Sequence, residues 1–122
     1  MQNTAFDISF YDKEDGSKPA EDFITDLPPK MKAKVIRAVG MLKSNGTDLR
    51  EPYSKHLEDG IFEIRAQVGT DISRVLYFFI VGKKVILTHG FIKKTTKTPP
   101  SEIARAKKYR TEYLSRKEHN NE

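Results

Sequence analysis

Gly60-Ile61-Phe62-Glu63-Ile64-Arg65-Ala66-Gln67 is the stretch whose reading decides the fold. Phe62, Ile64 and Ala66 alternate with Glu63, Arg65 and Gln67, the two-residue period of a strand with one apolar and one wet face. A Gly69-Thr70-Asp71 turn leads into Arg74-Val75-Leu76-Tyr77-Phe78-Phe79-Ile80-Val81, apolar on both faces as a central strand is. Gly82-Lys83-Lys84 then turns the chain into Val85-Ile86-Leu87-Thr88-His89-Gly90-Phe91. Three antiparallel strands in a meander are the expectation. In a meander one strand's end lies beside the next strand's start, so Arg65 and Arg74 should flank one turn as neighbours.

On the N-terminal side the period changes to that of helices. Ala20, Phe23, Ile24 and Leu27 share one helical face behind Pro19, with Ser17 as the expected cap. Pro28-Pro29 ends that helix and opens another, in which Met31, Val35, Ala38, Val39 and Leu42 recur until Asn45-Gly46 stops it. This reads as a helical hairpin. Ahead of it, Phe6 to Tyr11 alternates as a short strand. On the C-terminal side Thr98-Pro99-Pro100 starts a last helix with Ile103, Ala106, Tyr109 or Arg110, and Tyr113 along one side. Residues 118 to 122 are expected to fray. The whole is an α+β chain in which a helical hairpin packs on a twisted antiparallel sheet of three to four strands, followed by a C-terminal helix.

Length and composition agree with one domain over residues 1 to 122. The chain has 122 residues, 37% apolar and 32% charged, with no Cys. The missing thiols exclude disulfides, Cys-ligated zinc, iron–sulfur clusters and thiol nucleophiles. No apolar run approaches the roughly 20 residues that span a bilayer, and the first residues lack the order of a signal peptide, so a cytoplasmic protein without a membrane partner is expected. Net charge is +5, yet it is unevenly spread. Residues 1–90 balance, whereas residues 91–117 carry nine Lys or Arg, from Lys93 to Lys117, against Glu102 and Glu112. A local cationic excess of this kind suits a polyanion, and it equally suits a solvated helix face.

Most enzyme classes fail on inventory. His56, His89 and His119 have no metal-ligand spacing, no Gly-rich loop precedes a helix, and no Ser stands in a nucleophile elbow. No cofactor and no metal are expected. What remains is a polar group at the wet ends of the sheet: Arg65, Arg74, His89, then Lys93, Lys94 and Lys97 on the loop beyond. RNA cleavage needs a 2′-hydroxyl deprotonated, a pentacovalent phosphate stabilised and the departing 5′-oxygen protonated. Arginine can neutralise the phosphate bidentately, and Lys or His can move protons. Plainer readings stand beside this one: Arg65 as half of an ion pair with Glu63, Arg74 as the start of an exposed strand, His89 as a partly buried structural histidine, and Lys55-His56 paired with the nearby acids Glu58 and Asp59.

The runs Leu57-Glu58-Asp59-Gly60-Ile61-Phe62-Glu63-Ile64-Arg65, Ser73-Arg74-Val75-Leu76-Tyr77, His89-Gly90-Phe91-Ile92-Lys93-Lys94-Thr95-Thr96-Lys97-Thr98-Pro99 and Glu102-Ile103-Ala104-Arg105-Ala106 together resemble the phage-derived HigB branch of the RelE/ParE toxin superfamily. The likeness covers roughly residues 7 to 115. It implies a RelE/ParE-like fold and the toxin half of a type II toxin–antitoxin system. It further implies a metal-independent endoribonuclease, an mRNA interferase that cuts mRNA on the ribosome and so inhibits translation. By the same resemblance Arg65, Arg74, Lys93 and Lys94 are the catalytic candidates, with Lys55, His56, His89 and Lys97 as RNA-binding candidates. The implied partners are a helix-turn-helix antitoxin of the HigA type, the ribosome with its mRNA, and operator DNA only through the antitoxin. RelE proper has lysines on the strand where this chain has Ile61 and Glu63, and a tyrosine shortly after its basic pair where this chain has Pro99 to Ile103; some HigB members have a histidine before that strand, a place His56 would fill, so the resemblance leaves the general base unassigned. The alternative from a different class is a ParE-like non-catalytic inhibitor of a protein target such as DNA gyrase, with the cations serving docking.

Overall fold

A computed structural model describes residues 5–120, without the side chains of residues 118–120. The chain runs β1 (Asp7–Phe10), α1 (Pro19–Thr25), α2 (Pro29–Asn45), a 3-10 turn at Gly46–Asp48, β2 (Ser54–Glu58), β3 (Ile61–Val68), β4 (Asp71–Ile80), β5 (Lys84–Lys93) and α3 (Pro100–Asn120). The meander β3-β4-β5 forms as the alternation predicts. Its two-residue turn at Gly69 and Thr70 sets Arg65 directly opposite Arg74. Residues 121 and 122, part of the expected frayed end, lie outside the described residues, and α3 itself continues through Asn120.

Four features differ from the expectation. The sheet has five strands in the order β1-β5-β4-β3-β2, not three to four. It is mixed, because β1 pairs parallel with β5, whereas every other neighbour is antiparallel. The N-terminal helical pair differs in detail from a simple hairpin, because its two helices lie side by side along one face of the sheet, α1 chiefly on β5 and α2 chiefly on β3. Ser17 does not cap α1: its backbone N–H and hydroxyl both donate to Asp15 Oδ1, at 2.9 and 2.6 Å.

The layers follow from side-chain parity. On one face α2 residues Met31, Val35, Ala38 and Leu42 bury against Ile64, Val75 and Leu87. On the other, Ala106 and Tyr109 of α3, with Tyr11, bury against Ile61, Leu76 and Ile86. Each buried aliphatic or aromatic side chain contributes about 1.5–3 kcal/mol, so both helical layers are held by the sheet between them. A bulge in β5 decides which layer receives His89. Leu76 pairs with His89 and Tyr77 with Leu87, leaving Thr88 unmatched. The extra residue reverses parity, and His89 and Phe91 turn to the α3 face instead of following Val85 and Leu87. Gly90 next to them is required by close approach: a Cβ there would stand 2.3 Å from the Phe23 ring.

Candidate functional site

The wet face expected of β3 is not wet at Glu63. That side chain is fully buried, because α3 and the segment after β5 close over it. A carboxylate without water needs cations and donors, and Glu63 has both. Its Oε2 lies 2.7 Å from Arg65 Nε. Its Oε1 lies 3.6 Å from Arg74 Nε and accepts a short hydrogen bond from the Thr98 hydroxyl. Arg65 and Arg74, opposite each other on β3 and β4, therefore share one acid.

Arg74 is 0% exposed, which corrects the reading of an arginine opening an exposed strand. Its Nη2 donates to the Thr95 carbonyl and its guanidinium stands over the Phe91 ring, 5.8 Å from the centroid. Its Nη1 is buried without a hydrogen-bond partner. Burial holds its pKa below the ordinary arginine value, Glu63 opposing and Arg65 adding to the effect. Arg65 is 20% exposed and its Nη2 donates to the Thr96 carbonyl. Two arginines thus end on two consecutive carbonyls of one loop.

Arg65 and Glu63 line a groove of about 480 Å³ with Lys55, His56, Lys97 and Thr98. Lys55 and Lys97 are exposed. The His56 ring rests near Phe62, centroids 4.9 Å apart, and its Nε2 accepts the Gly60 N–H at 3.3 Å. Four of the sequence-derived candidates, Arg65, Lys55, His56 and Lys97, are therefore brought together, with Arg74 directly behind. Three are not. Lys93 ends β5 opposite Ile72 and lines no part of the groove. Lys94 Nζ is bound to Asp71 at 2.8 Å and to Thr70 at 3.2 Å, across the β3–β4 turn. His89, expected to face RNA, is 3% exposed, with Nε2 3.0 Å from Glu102 Oε1 and Nδ1 3.1 Å from Thr88 Oγ1. Burial pushes its pKa below the usual 6.5, with Glu102 opposing and Arg105 adding to the fall. The structural reading of that histidine is the one the bulge produces.

Part of the C-terminal cationic excess is engaged, mostly by groups distant in sequence. Lys107 reaches Glu58 and Asp59, Arg110 donates to the Asp59 carbonyl, Arg116 meets Asp12, and Arg105 stands 3.9 Å from Glu102. Lys93, Lys97, Lys108 and Lys117 keep no acidic partner among the described residues. Among the described residues no three His, Asp or Glu are grouped to hold a metal ion, and no helix is long and apolar enough to cross a membrane.

Glu63 and Thr98 were not candidates on sequence grounds. The signal for Glu63 was present, since an acid two residues from Arg65 on a strand facing another arginine pairs on the same face. Nothing local marked Thr98.

None of the curated proteins matches the chain by sequence. One family model does, over residues 22–111, from within α1 to within α3, and it spans all the groove residues named above. On that match, which takes in Glu63, Arg65, Arg74 and the loop to Thr98, the chain belongs to the family described as phage-derived Gp49-like proteins.

Proposed function

We propose that this protein is the toxin of a type II toxin–antitoxin pair and acts as a ribosome-dependent mRNA endoribonuclease that inhibits translation. The observation that carries the reading is the groove in which Arg65 meets Lys55, His56 and Lys97, backed by Arg74. The groove carries Lys55, Arg65 and Lys97 against Glu58 and Glu63, and this positive balance suits a phosphodiester of single-stranded RNA. In the reaction the 2′-hydroxyl loses its proton, the 2′-oxygen attacks the adjacent phosphorus, and the 5′-oxygen leaves with a proton, giving a cyclic phosphate and a 5′-hydroxyl end. Arg65 neutralises the phosphate as charge builds on its oxygens. Glu63, held between the arginines, draws the Arg65 guanidinium to itself by charge, Oε2 lying 2.7 Å from Nε. His56 is the group in the groove suited to proton transfer in both directions. Lys55 and Lys97 attract the flanking phosphates. A helix-turn-helix antitoxin with an acidic contact surface would silence the protein by covering this groove or blocking its approach to the ribosome.

One observation favours the second reading, a non-catalytic inhibitor of a protein target such as DNA gyrase: Arg74 is sealed, so Arg65 is the single guanidinium of the pair open to the groove. Primer extension on transcripts after induction separates the two. New 5′ ends phased to codons support cleavage. Their absence, together with trapped gyrase–DNA complexes, refutes it.

A further inference from the structure

We propose that Lys94–Pro99 is a strap whose Thr95 and Thr96 carbonyls hold the places of RNA phosphate oxygens on Arg74 and Arg65, and that Thr98 and Glu63 are positioning residues that pin it shut. The proposal rests on the RNA reading above and adds a gate to that site.

Four observations carry it. First, consecutive carbonyls of the strap accept from the two arginines, so a neutral oxygen occupies each guanidinium where an anion would bind more strongly. Second, the closed arrangement is under-satisfied: Arg74 Nη1 is buried with no acceptor, and a buried charged donor left unmade is costly. A phosphate, with several oxygens, supplies what one carbonyl does not. Third, the strap is exposed from Lys94 to Lys97 and buried only at Thr98, whose hydroxyl donates to Glu63. It is anchored at its start by Lys94 on Asp71 and at its end by Pro99-Pro100, which opens α3. Fourth, Arg65 and Thr96 line two grooves at once. Beyond the first lies another of about 480 Å³, with Lys34, Arg37, Tyr53 and one acid, Glu51, on its walls. The Arg65–Thr96 bond is the partition between them. Lifting the strap joins the two into one cationic channel from Lys97 to Arg37, which suits a strand of several nucleotides better than either groove alone.

The gate predicts a trade. RNA must displace the strap to reach Arg74, so bound RNA should free the strap's backbone instead of covering it. Thr98→Val keeps the volume and removes the pin, whereas Thr98→Ser keeps the hydroxyl. The probe is a tetranucleotide with a 2′-deoxy position at its centre, which binds without being cut. The carbonyl 13C resonances of Thr95 and Thr96, the atoms the arginines hold, are followed with and without it, and its affinity is measured for all three proteins. Expected results are a shift of both resonances in the parent on adding the probe, the same shift in Thr98→Val without it, about tenfold tighter binding by Thr98→Val, and parent-like behaviour of Thr98→Ser. If the probe binds and both resonances stay where they were, the strap is overturned and the RNA reading stands. Equal affinity of Thr98→Val and the parent also overturns the strap. If no protein binds the probe, the strap falls, and the primer extension above decides the RNA reading separately.

Discussion

Arg74→Ala is expected to unfold the protein well before the parent. Arg74 is completely buried, and its guanidinium faces a completely buried carboxylate. Removing one member of a buried pair commonly costs about 3–5 kcal/mol. Here Glu63 keeps Arg65 at 2.7 Å and the Thr98 hydroxyl, so the lower value, about 3 kcal/mol, applies to the lost pairing. Truncation to Ala adds a cavity, worth about 1 kcal/mol or more. With a urea slope of about 2 kcal/mol per molar, the midpoint falls by about 2 M for Ala, and by about 1.5 M for Arg74→Met, which fills the volume without the charge. Equilibrium unfolding in urea followed by circular dichroism measures both. An Arg74→Ala midpoint within about 0.3 M of the parent would refute the reasoning, because such a shift is under about 1 kcal/mol at that slope. It follows that lost toxicity in Arg74→Ala says little about chemistry until the fraction folded is known.

Arg65→Ala is the cleaner functional probe: it should lower cleavage of programmed ribosomes 100-fold or more at saturation while the urea midpoint moves little, and unchanged cleavage would remove Arg65 from the site. Lys55→Ala and Lys97→Ala should each reduce the salt dependence of ribosome binding by about one charge unit, whereas Lys107→Ala, whose ammonium is engaged by Glu58 and Asp59, should not; equal slopes for all three would contradict the assignment. His89 has a depressed pKa when folded, so the unfolded chain takes up the proton first, and its contribution is whole above about pH 6.5 and is lost as pH falls below it. The parent's urea midpoint should therefore fall more steeply on acidification than that of His89→Gln, and parallel profiles would count against a buried neutral His89. Gly90→Ala forces a methyl toward Phe23 at 2.3 Å and should lower Tm by about 5 °C or more, which calorimetry reads directly; an unchanged Tm would mean the helix layer yields freely there.

The legible part of the fold is the part with local periodicity. The meander, α2 and α3 were all readable because their apolar residues recur at two or at three to four positions. β2 was not, since Ser54-Lys55-His56-Leu57-Glu58 is a polar outer strand with only Leu57 apolar and half its pairing set by β3. The parallel pairing of β1 with β5 was not legible either, because nothing in Asp7–Phe10 records a partner some eighty residues away. In the candidate site, the juxtaposition of Arg65 and Arg74 followed from the meander, that of Lys97 with them from the loop beyond the last strand, and the place of His56 from the resemblance. The placement of His89 failed on a single inserted residue, Thr88, and that of Lys94 on one acid, Asp71, across a turn. Burial of Glu63 and Arg74 was invisible because it depends on α3 and the strap, neither of which enters the alternation of the strands they cover.

One acid between two arginines is an arrangement with a consequence for charge. Two guanidinium groups opposite each other on neighbouring strands repel, and like charges directly opposite destabilise a sheet. Glu63 offsets one of them, so the triad of Arg65, Glu63 and Arg74 keeps a single positive charge. Its position decides where that charge is felt. Arg74 is enclosed and Arg65 is partly open, so the surplus faces the groove, where Lys55 and Lys97 add to it. Burying Arg74 thus costs desolvation but fixes Glu63, and Glu63 in turn fixes the guanidinium of Arg65 at a defined place and orientation. Once the Thr96 carbonyl is displaced from Arg65, an arriving anion meets a guanidinium already held beside Glu63, and a charged group placed in advance stabilises a transition state more than a ground state.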